Sequence, residues 1–374
     1  MTDMLQRLPA PEIAQQLTDD FDGLLTCVEI TPITHDATSF TFALPGGAGL
    51  IFAPGQYLTI TVEVAGVQLE RCYTISSSPA QPERPTITVK RSPDGPVSTW
   101  LHDQLRVGDV VSAAGPYGLF STATHPARKV LFLSAGSGIT PLMSMTRAMR
   151  DQALVGGGGL GVTGPGPDQG EPLDIVFVHC ARTPDDIIFR AELEALATSG
   201  LAAVTVICQD DSPQEVWQGP RGRLTLGALF AAAPDVLDRE IFTCGPPRFM
   251  AAVTEHLTLI AADPARSHRE SFVLDAGAPA SERALSGTSH QVTFARSGVT
   301  VECDAATTVL AAAASAGLRL PSSCQGGVCG TCKSSLLSGQ VDMQQAGGIR
   351  QREIDDGKFL PCCSTPLGDL EIDA

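Results

Sequence analysis

No apolar run in the 374 residues approaches the roughly 20 that cross a bilayer. Positive charge is also scarce, with 25 lysines and arginines against 41 aspartates and glutamates and a net charge of −16. The first absence argues against a membrane span. The second argues against a nucleic-acid partner, because so acidic a surface repels phosphate backbones, and it disfavours anionic membranes for the same reason. Met1–Asp20 lacks the basic start, apolar stretch and small-residue cleavage site of a secretory signal, so a cytoplasmic location is expected. No internal repeat and no Ser-His-Asp or Cys-His pairing suited to nucleophilic catalysis stands out. What is present is ample core material, 43% hydrophobic against 18% charged, in a length that suggests two or three domains.

From Leu24 to Ala114 the pattern is mostly β. Ser39–Leu44, Tyr57–Val64 and Thr86–Lys90 are rich in Val, Ile, Thr and Phe and are punctuated by Pro and Gly, which predicts an antiparallel barrel. From Lys129 apolar runs alternate with helical stretches: Val130–Leu133, a helix from Pro141, Ile175–Val178, a helix over Pro184–Ala197, Val204–Cys208 and Glu240–Thr243. Such alternation predicts parallel βαβ units. Gly156–Gly170 is too rich in Gly and Pro to bury apolar surface and is expected as a surface insertion, and Leu274–His290 reads as an interdomain linker. Gln291–Glu302 then predicts a hairpin and Thr308–Gly317 a helix.

Eleven cysteines are present, and five of them, Cys324, Cys329, Cys332, Cys362 and Cys363, crowd into the last 51 residues. The series Cys324-x4-Cys329-x2-Cys332, followed after 29 residues by Cys362, has the plant-type [2Fe–2S] spacing. Each iron needs two thiolates, so three ligands come from one tight loop and the fourth from a distant segment. Glycines 326, 327 and 330 let the backbone wrap closely, so that amides point at the sulfurs. Zinc is the competing reading, but zinc ribbons present two CxxC knuckles and this chain has one. Cys363 is expected to be a bystander, and cysteines 27, 72, 180, 208 and 303 small buried hydrophobes.

Arg71-Cys72-Tyr73-Thr74 falls on a strand. There an Arg can neutralise a cofactor diphosphate, a Tyr ring can pack on a ribityl and isoalloxazine, and a hydroxyl can bond the flavin N5 edge. Gly55-Gln56-Tyr57-Leu58 precedes it. Val89-Lys90-Arg91 leads into Gly95-Pro96-Val97-Ser98-Thr99. Further on, Val130–Ser134 followed by Ala135-Gly136-Ser137-Gly138-Ile139-Thr140-Pro141 is strand, glycine turn, helix start. Cys244-Gly245-Pro246-Pro247 follows the last apolar run, and Glu270-Ser271-Phe272 closes this half of the chain.

These segments resemble the RxY[ST], GxGxTP and CGPxxM motifs of the ferredoxin-NADP reductase family, here followed by a plant-type ferredoxin domain. Tyr73–Pro79 and Val89–Arg91 resemble segments of the glycine betaine monooxygenase reductases, a group of Rieske-type oxygenase reductases. The resemblance implies an N-terminal extension (1–23), a β-barrel FAD domain (24–125), an α/β NAD(P)H domain (126–273, with the insertion 156–170), a linker (274–289) and an α+β, β-grasp [2Fe–2S] domain (290–374). It implies flavin contacts from Arg71, Tyr73, Thr74, Val97 and Ser98, and nicotinamide-nucleotide contacts from Gly136, Gly138, Thr140, Arg182, Gly245 and Pro246. It places Thr74, Cys244 and an isoalloxazine-stacking Phe272 at the hydride site, and cluster ligation at Cys324, Cys329, Cys332 and Cys362. FAD is preferred to FMN. NADH is preferred to NADPH because Asp185 and Asp186 would repel a 2′-phosphate held by Arg182, although both could simply cap a helix. The activity implied is electron transfer from NADH through FAD and [2Fe–2S] to a Rieske-type monooxygenase. An NADH reductase of a hybrid-cluster protein and a non-catalytic electron-transfer subunit are the alternatives.

Overall fold

The computed structural model describes residues 21–93, 95–154, 173–272 and 289–374, except 319, 321, 323–325, 328, 329, 331 and 346. The glycine-rich insertion and the expected linker up to residue 288 lie outside the described residues. The chain forms two compact units, which divide between Phe272 and Val273.

The first unit opens with six antiparallel strands: β1 (Phe21–Pro32), β2 (Ala37–Ala43), β3 (Tyr57–Val64), β4 (Val67–Thr74), β5 (Thr86–Lys90) and β6 (Val110–Tyr117), with helix α1 (Pro96–Asp103) before the last. They hydrogen-bond in the order β4-β3-β6-β1-β2-β5, and the sheet curls until Ile75, just past β4, bridges Ile87 of β5. The β3–β4 hairpin turns through Ala65 and Gly66, both with positive φ, the twist that suits a two-residue connection. Phe40, Phe42, Leu58, Ile60 and Val111 fill the interior. Ser39–Thr88 and Thr41–Thr86 pair their hydroxyls across β2 and β5, which is how these two strands hide polar residues as well as apolar ones.

A five-stranded parallel sheet follows. It runs β7 (Lys129–Ala135), α2 (Ile139–Leu154), β8 (Asp174–Ala181), α3 (Arg190–Thr198), β9 (Ala202–Cys208), α4 (Leu226–Ala232), β10 (Glu240–Cys244), α5 (Pro247–Leu259) and β11 (Ser267–Glu270), with strand order β11-β10-β7-β8-β9. The order reverses between β10 and β7, the position where open parallel sheets bind nucleotides. Phe132, Phe177 and Phe242 form an aromatic row across adjacent strands, with ring centroids 5.6 and 5.7 Å apart.

Two features differ from the expectations. The single helix read over Pro184–Ala197 is a short 3-10 turn at Pro184–Asp186 and then α3, because Phe189 takes a left-handed φ of 58° between them. The strand β11 was not foreseen, since Ser-His-Arg-Glu carries no apolar pattern.

The second unit is a mixed sheet ordered β13-β12-β18-β14-β16, made from β12 (Ser289–Phe294), β13 (Val299–Asp304), β14 (Ser334–Ser338), β16 (Lys358–Phe359) and β18 (Leu370–Ile372). Strands β15 (Val341–Met343) and β17 (Ser364–Pro366) pair separately. Helix α6 (Val309–Ser315), N-capped by the Thr308 hydroxyl, buries Val309, Ala312 and Ala313 against Phe294, Phe359 and Ile372, and a short α7 spans Gln351–Asp355.

Candidate functional site

The β4 strand carries Arg71, Tyr73 and Thr74 opposite β3, with Tyr57 facing Thr74 and Leu58 facing Tyr73. Thr74 is buried and its Oγ1 has no hydrogen-bond partner, so this hydroxyl has lost water without replacing it, as a group reserved for a ligand would. Burial pushes the Tyr73 phenol above its ordinary value, against the Arg71 charge, and keeps it neutral. Arg71 donates from Nη1 to the Glu70 carbonyl at 2.7 Å, which lays its guanidinium along its own strand. Gln56 braces the neighbouring loop: its Oε1 accepts from the Ala53 amide at 2.8 Å and its Nε2 donates to the Gly118 carbonyl at 3.2 Å.

Helix α1 starts at Gly95 with Pro96 in its first turn. The Ser98 hydroxyl is engaged within that turn, donating to the Gly95 carbonyl at 2.9 Å and accepting from the Ser92 amide at 3.1 Å. What Val97 and Ser98 can offer a diphosphate is therefore first-turn amides, which an α-helix leaves without intrahelical partners. Lys90 and Arg91 are committed elsewhere: Lys90 Nζ lies 2.6 Å from Asp36 and 3.8 Å from Asp186, and Arg91 pairs with Asp103.

The nucleotide edge is built at the C-terminal ends of β7 and β10. Gly136 has φ +54°, and a Cβ on Gly138 would sit 2.2 Å from the Cys244 carbonyl, so the loop after β7 touches the end of β10 with no room for a side chain. A Cβ on Gly245 would lie 2.6 Å from the Phe249 ring. The Thr140 hydroxyl closes the first loop by donating to the Ser137 carbonyl at 3.1 Å, and Pro246 caps α5. Helix α2 then ties this loop to the segment that follows β4. Ser144 donates to the Ser77 carbonyl at 2.9 Å and Arg147 to the Ser76 carbonyl at 2.5 Å, just beyond Thr74.

Register places Glu270, Cys244, Ser134 and His179 in one line across β11, β10, β7 and β8, so all four share a face of the sheet. All are buried. Both Glu270 oxygens lack partners, and burial raises its carboxyl from an ordinary 4.5 to about 8. Burial, with Glu270 alongside, holds the Cys244 thiol far above the usual range. The Ser134 hydroxyl meets His179 Nδ1 at 2.8 Å, while His179 Nε2 is unpartnered and burial lowers that ring to about 3. Phe272 is 43% exposed just beyond β11.

Glu270 is the residue that the motif reading passed over. Its position in a sequence triplet was visible, but its burial depends on β11 being a strand. Asp186 takes the capping role that the sequence also allowed. Its carboxylate accepts from the Thr183 amide at 3.1 Å and hydroxyl at 2.7 Å, and it stands 3.8 Å from Lys90 Nζ. Asp185 and Arg182 are exposed.

In the second unit, Cys332 and Cys362 are buried in one cluster with Ile349 and Leu360. Cys324 and Cys329 lie outside the described residues. Gly327 and Gly330 have φ of +72° and +69°, and a Cβ on either would collide, with Cys363 Sγ at 2.7 Å and the Gly348 carbonyl at 2.6 Å respectively. Two positions that admit only glycine, in the segment leading to the buried Cys332, fit a cluster held by thiolates. The Cys363 sulfur occupies the space that Gly327 leaves. Cys27, Cys208 and Cys303 are buried as expected, whereas Cys72 and Cys180 are only half-buried. Among the described residues no helix is long and apolar enough to cross a membrane.

Residues 25–122 match the oxidoreductase FAD-binding domain family, 132–255 the oxidoreductase NAD-binding domain family and 292–367 the 2Fe-2S iron-sulfur cluster binding domain family. The chain is 40% identical over 363 residues to the glycine betaine monooxygenase reductase subunit of Pseudomonas aeruginosa, covering 94% of each. It is 39% identical over 356 residues to a stachydrine N-demethylase reductase subunit of Rhizobium meliloti, covering 94% of this chain and 96% of that one. Phthalate dioxygenase reductase shares the fold, with a TM-score of 0.54 and 24% identity over 94% of this chain and 98% of its own. The unpartnered Thr74, the touching glycine loops and the thiol-lined turn thus each fall within the module whose cofactor they suit, and the chain belongs to the family of NAD(H)-dependent oxygenase reductase subunits that carry FAD-, NAD- and [2Fe–2S]-binding domains in that order.

Proposed function

We propose that the chain takes electrons from NADH and delivers them singly to a Rieske-type monooxygenase that acts on a quaternary ammonium compound, in the cytoplasm. The proposed domains are 24–125 for flavin, 126–273 for nicotinamide and 290–374 for the cluster. When bound, FAD supplies the conversion of a hydride into single electrons, and the [2Fe–2S] cluster supplies a one-electron outlet.

The residues divide the work. Arg71 neutralises the flavin diphosphate beside the first-turn amides of Val97 and Ser98, Tyr73 packs on the flavin and Thr74 Oγ1 bonds its N5 edge. Gly136, Gly138 and Thr140 shape the loop that admits the dinucleotide diphosphate, Gly245 and Pro246 the loop opposite, and Arg182 lies toward the adenine ribose. Cys244 would border the nicotinamide, and Phe272 would stack on the isoalloxazine. Cys324, Cys329, Cys332 and Cys362 hold the cluster.

The observation that carries this reading is the line of Glu270 and Cys244 at the strand ends, sealed from water and short of partners, within the same compact unit as the unsatisfied Thr74 hydroxyl. Water exclusion there protects a hydride in transit. The relatives' names point to betaine and stachydrine as substrates of their oxygenases, and both are quaternary ammonium compounds. The test is an anaerobic visible spectrum of the purified protein before and after NADH, followed by turnover with a purified Rieske oxygenase and glycine betaine. Bleaching of flavin and cluster bands with coupled demethylation is expected. Reduced cofactors that pass no electrons to any Rieske oxygenase would remove the proposed partner.

A further inference from the structure

His125, Glu240 and His268 come from three separate segments and gather at the end of the parallel sheet opposite Cys244. His125 sits in the turn between β6 and β7, Glu240 opens β10 and His268 is the second residue of β11. One donor atom from each lies within 4.8 Å of the other two. His268 Nε2 is 2.5 Å from Glu240 Oε1, and the two side chains are only 11% and 16% exposed. The His125 ring stacks on His268 at 3.6 Å and 17°, and neither of its nitrogens has a hydrogen-bond partner among the described residues. Arg266 Nε stands 3.5 Å from the other Glu240 oxygen, as an outer partner that fixes a ligating carboxylate.

We propose that His125, Glu240 and His268 form a binding site for one divalent transition-metal ion of the zinc type. Two imidazoles and a carboxylate are a donor set zinc accepts, leaving a fourth position for water. The ion replaces the proton between His268 and Glu240, and His268 then carries its proton on Nδ1. Stacked rings do not aim both lone pairs at one point, so His125 must turn out of the stack. It can do so because it stands on a turn and not in the sheet. Glu240 and Cys244 stand at opposite ends of β10, four residues or about 13 Å apart. The effect of the ion is to clip the segment between β6 and β7 to the sheet edge.

The test uses the holoprotein dialysed against buffered Zn²⁺, with metal counted per chain in wild type, His125→Ala, His268→Ala and Glu240→Gln. Zinc captured by cysteines is common to all four and cancels in the difference. Wild type should hold one more zinc than each variant, with affinity lost by more than the roughly 10–100-fold that removing an outer-shell partner costs. Zinc should raise the melting temperature of the wild type alone, while flavin absorbance and NADH–ferricyanide activity stay equal across all four. Equal zinc content in wild type and His125→Ala, the variant least able to disturb the sheet, would overturn the site.

Discussion

Cys244 and Glu270 are register partners on adjacent parallel strands, and both are closed to solvent at the strand ends where the loops after β7 and β10 meet. A carboxyl placed there with neither oxygen satisfied stays protonated: its folded value of about 8 exceeds an ordinary 4.5. The folded state therefore holds a proton that the unfolded chain releases in between. Stability from this group is full below pH 4.5 and is lost as pH rises toward 8. Glu270→Gln, which cannot ionise, should flatten the fall of melting temperature between about pH 5 and 8. It should also remove any group titrating near 8 from the pH profile of flavin reduction by NADH. A variant with unchanged profiles in both measurements would show that Glu270 titrates elsewhere.

Arg71 is held along β4 by its bond to the Glu70 carbonyl, so little ordering remains when it meets an anion. Arg71→Ala should weaken flavin retention by about 1.5–3 kcal/mol, the range of a charge-assisted hydrogen bond. Flavin occupancy after dilution and gel filtration measures it, and full occupancy would remove Arg71 from the diphosphate site.

The two aspartates after Arg182 should separate by experiment. Asp186 accepts from Thr183 within the capping turn and faces Lys90, and an amide oxygen can still accept there, so Asp186→Asn should lower stability by at most about 1 kcal/mol and leave dinucleotide choice alone. Asp185 is exposed beside Arg182, so Asp185→Asn should narrow a preference for NADH over NADPH, read as the ratio of kcat/KM values. A ratio that shifts with Asp186→Asn and not with Asp185→Asn would reverse the assignment.

Cofactor motifs were legible because the constraints they obey are local. A thiolate loop, a glycine turn after a buried strand and the Arg71–Thr74 tetrapeptide each declare themselves within a dozen residues. Runs such as Tyr57–Val64 and Val130–Leu133 gave away their strands by composition. What stayed hidden depends on residues far apart in sequence. β11 is a strand because β10 offers it a free edge, not because Ser267–Glu270 is β-prone, and without β11 neither the burial of Glu270 nor the approach of His268 to His125 can be inferred. The break at Phe189 is a tertiary effect as well: its ring lies 4.6 Å from the Arg147 guanidinium of α2, in a conformation no sequence pattern demands. The approach of the Cys363 sulfur to Gly327 is hidden for the same reason, since the two are 36 residues apart in sequence.

Arg239 is nearly inaccessible and holds the sheet's lower end together. It reaches Asp174 of β8 at 2.8 Å, Asp235 at 2.7 Å and the Val130 carbonyl of β7 at 3.2 Å. The Arg239 guanidinium, helped by Lys129, lowers Asp235 to about 2. Arg239→Ala should cost about 2–3 kcal/mol of stability near neutral pH, because the Asp174 and Asp235 carboxylates left behind are only partly solvated. A depressed carboxylate gives stability that is present above its ordinary 3.8 and lost as pH falls toward 2, so the gap between wild type and variant should close on acidification. Denaturant unfolding at neutral and acid pH measures both effects. A constant gap would mean that the loss is packing and not charge.

The last prediction separates the cluster from the flavin. Cys329→Ser and Cys362→Ser replace soft thiolates with hydroxyls that rarely ionise, so both should lose or severely weaken the cluster, seen as loss of its visible bands and of two irons per chain. The flavin and nicotinamide segments belong to the first compact unit, which ends at Phe272, and should keep their FAD. NADH should then still bleach the flavin and drive ferricyanide reduction, which takes electrons from flavin directly, while transfer to cytochrome c or to an oxygenase collapses. Cys363→Ser should keep the cluster, but with a disturbed spectrum, because its sulfur packs against Gly327 in the ligand loop. If Cys362→Ser retains a full cluster while Cys363→Ser does not, the ligand is the second cysteine of the pair. If a chain without its cluster still drives an oxygenase at the normal rate, electrons leave from the flavin and the proposed order of transfer is wrong.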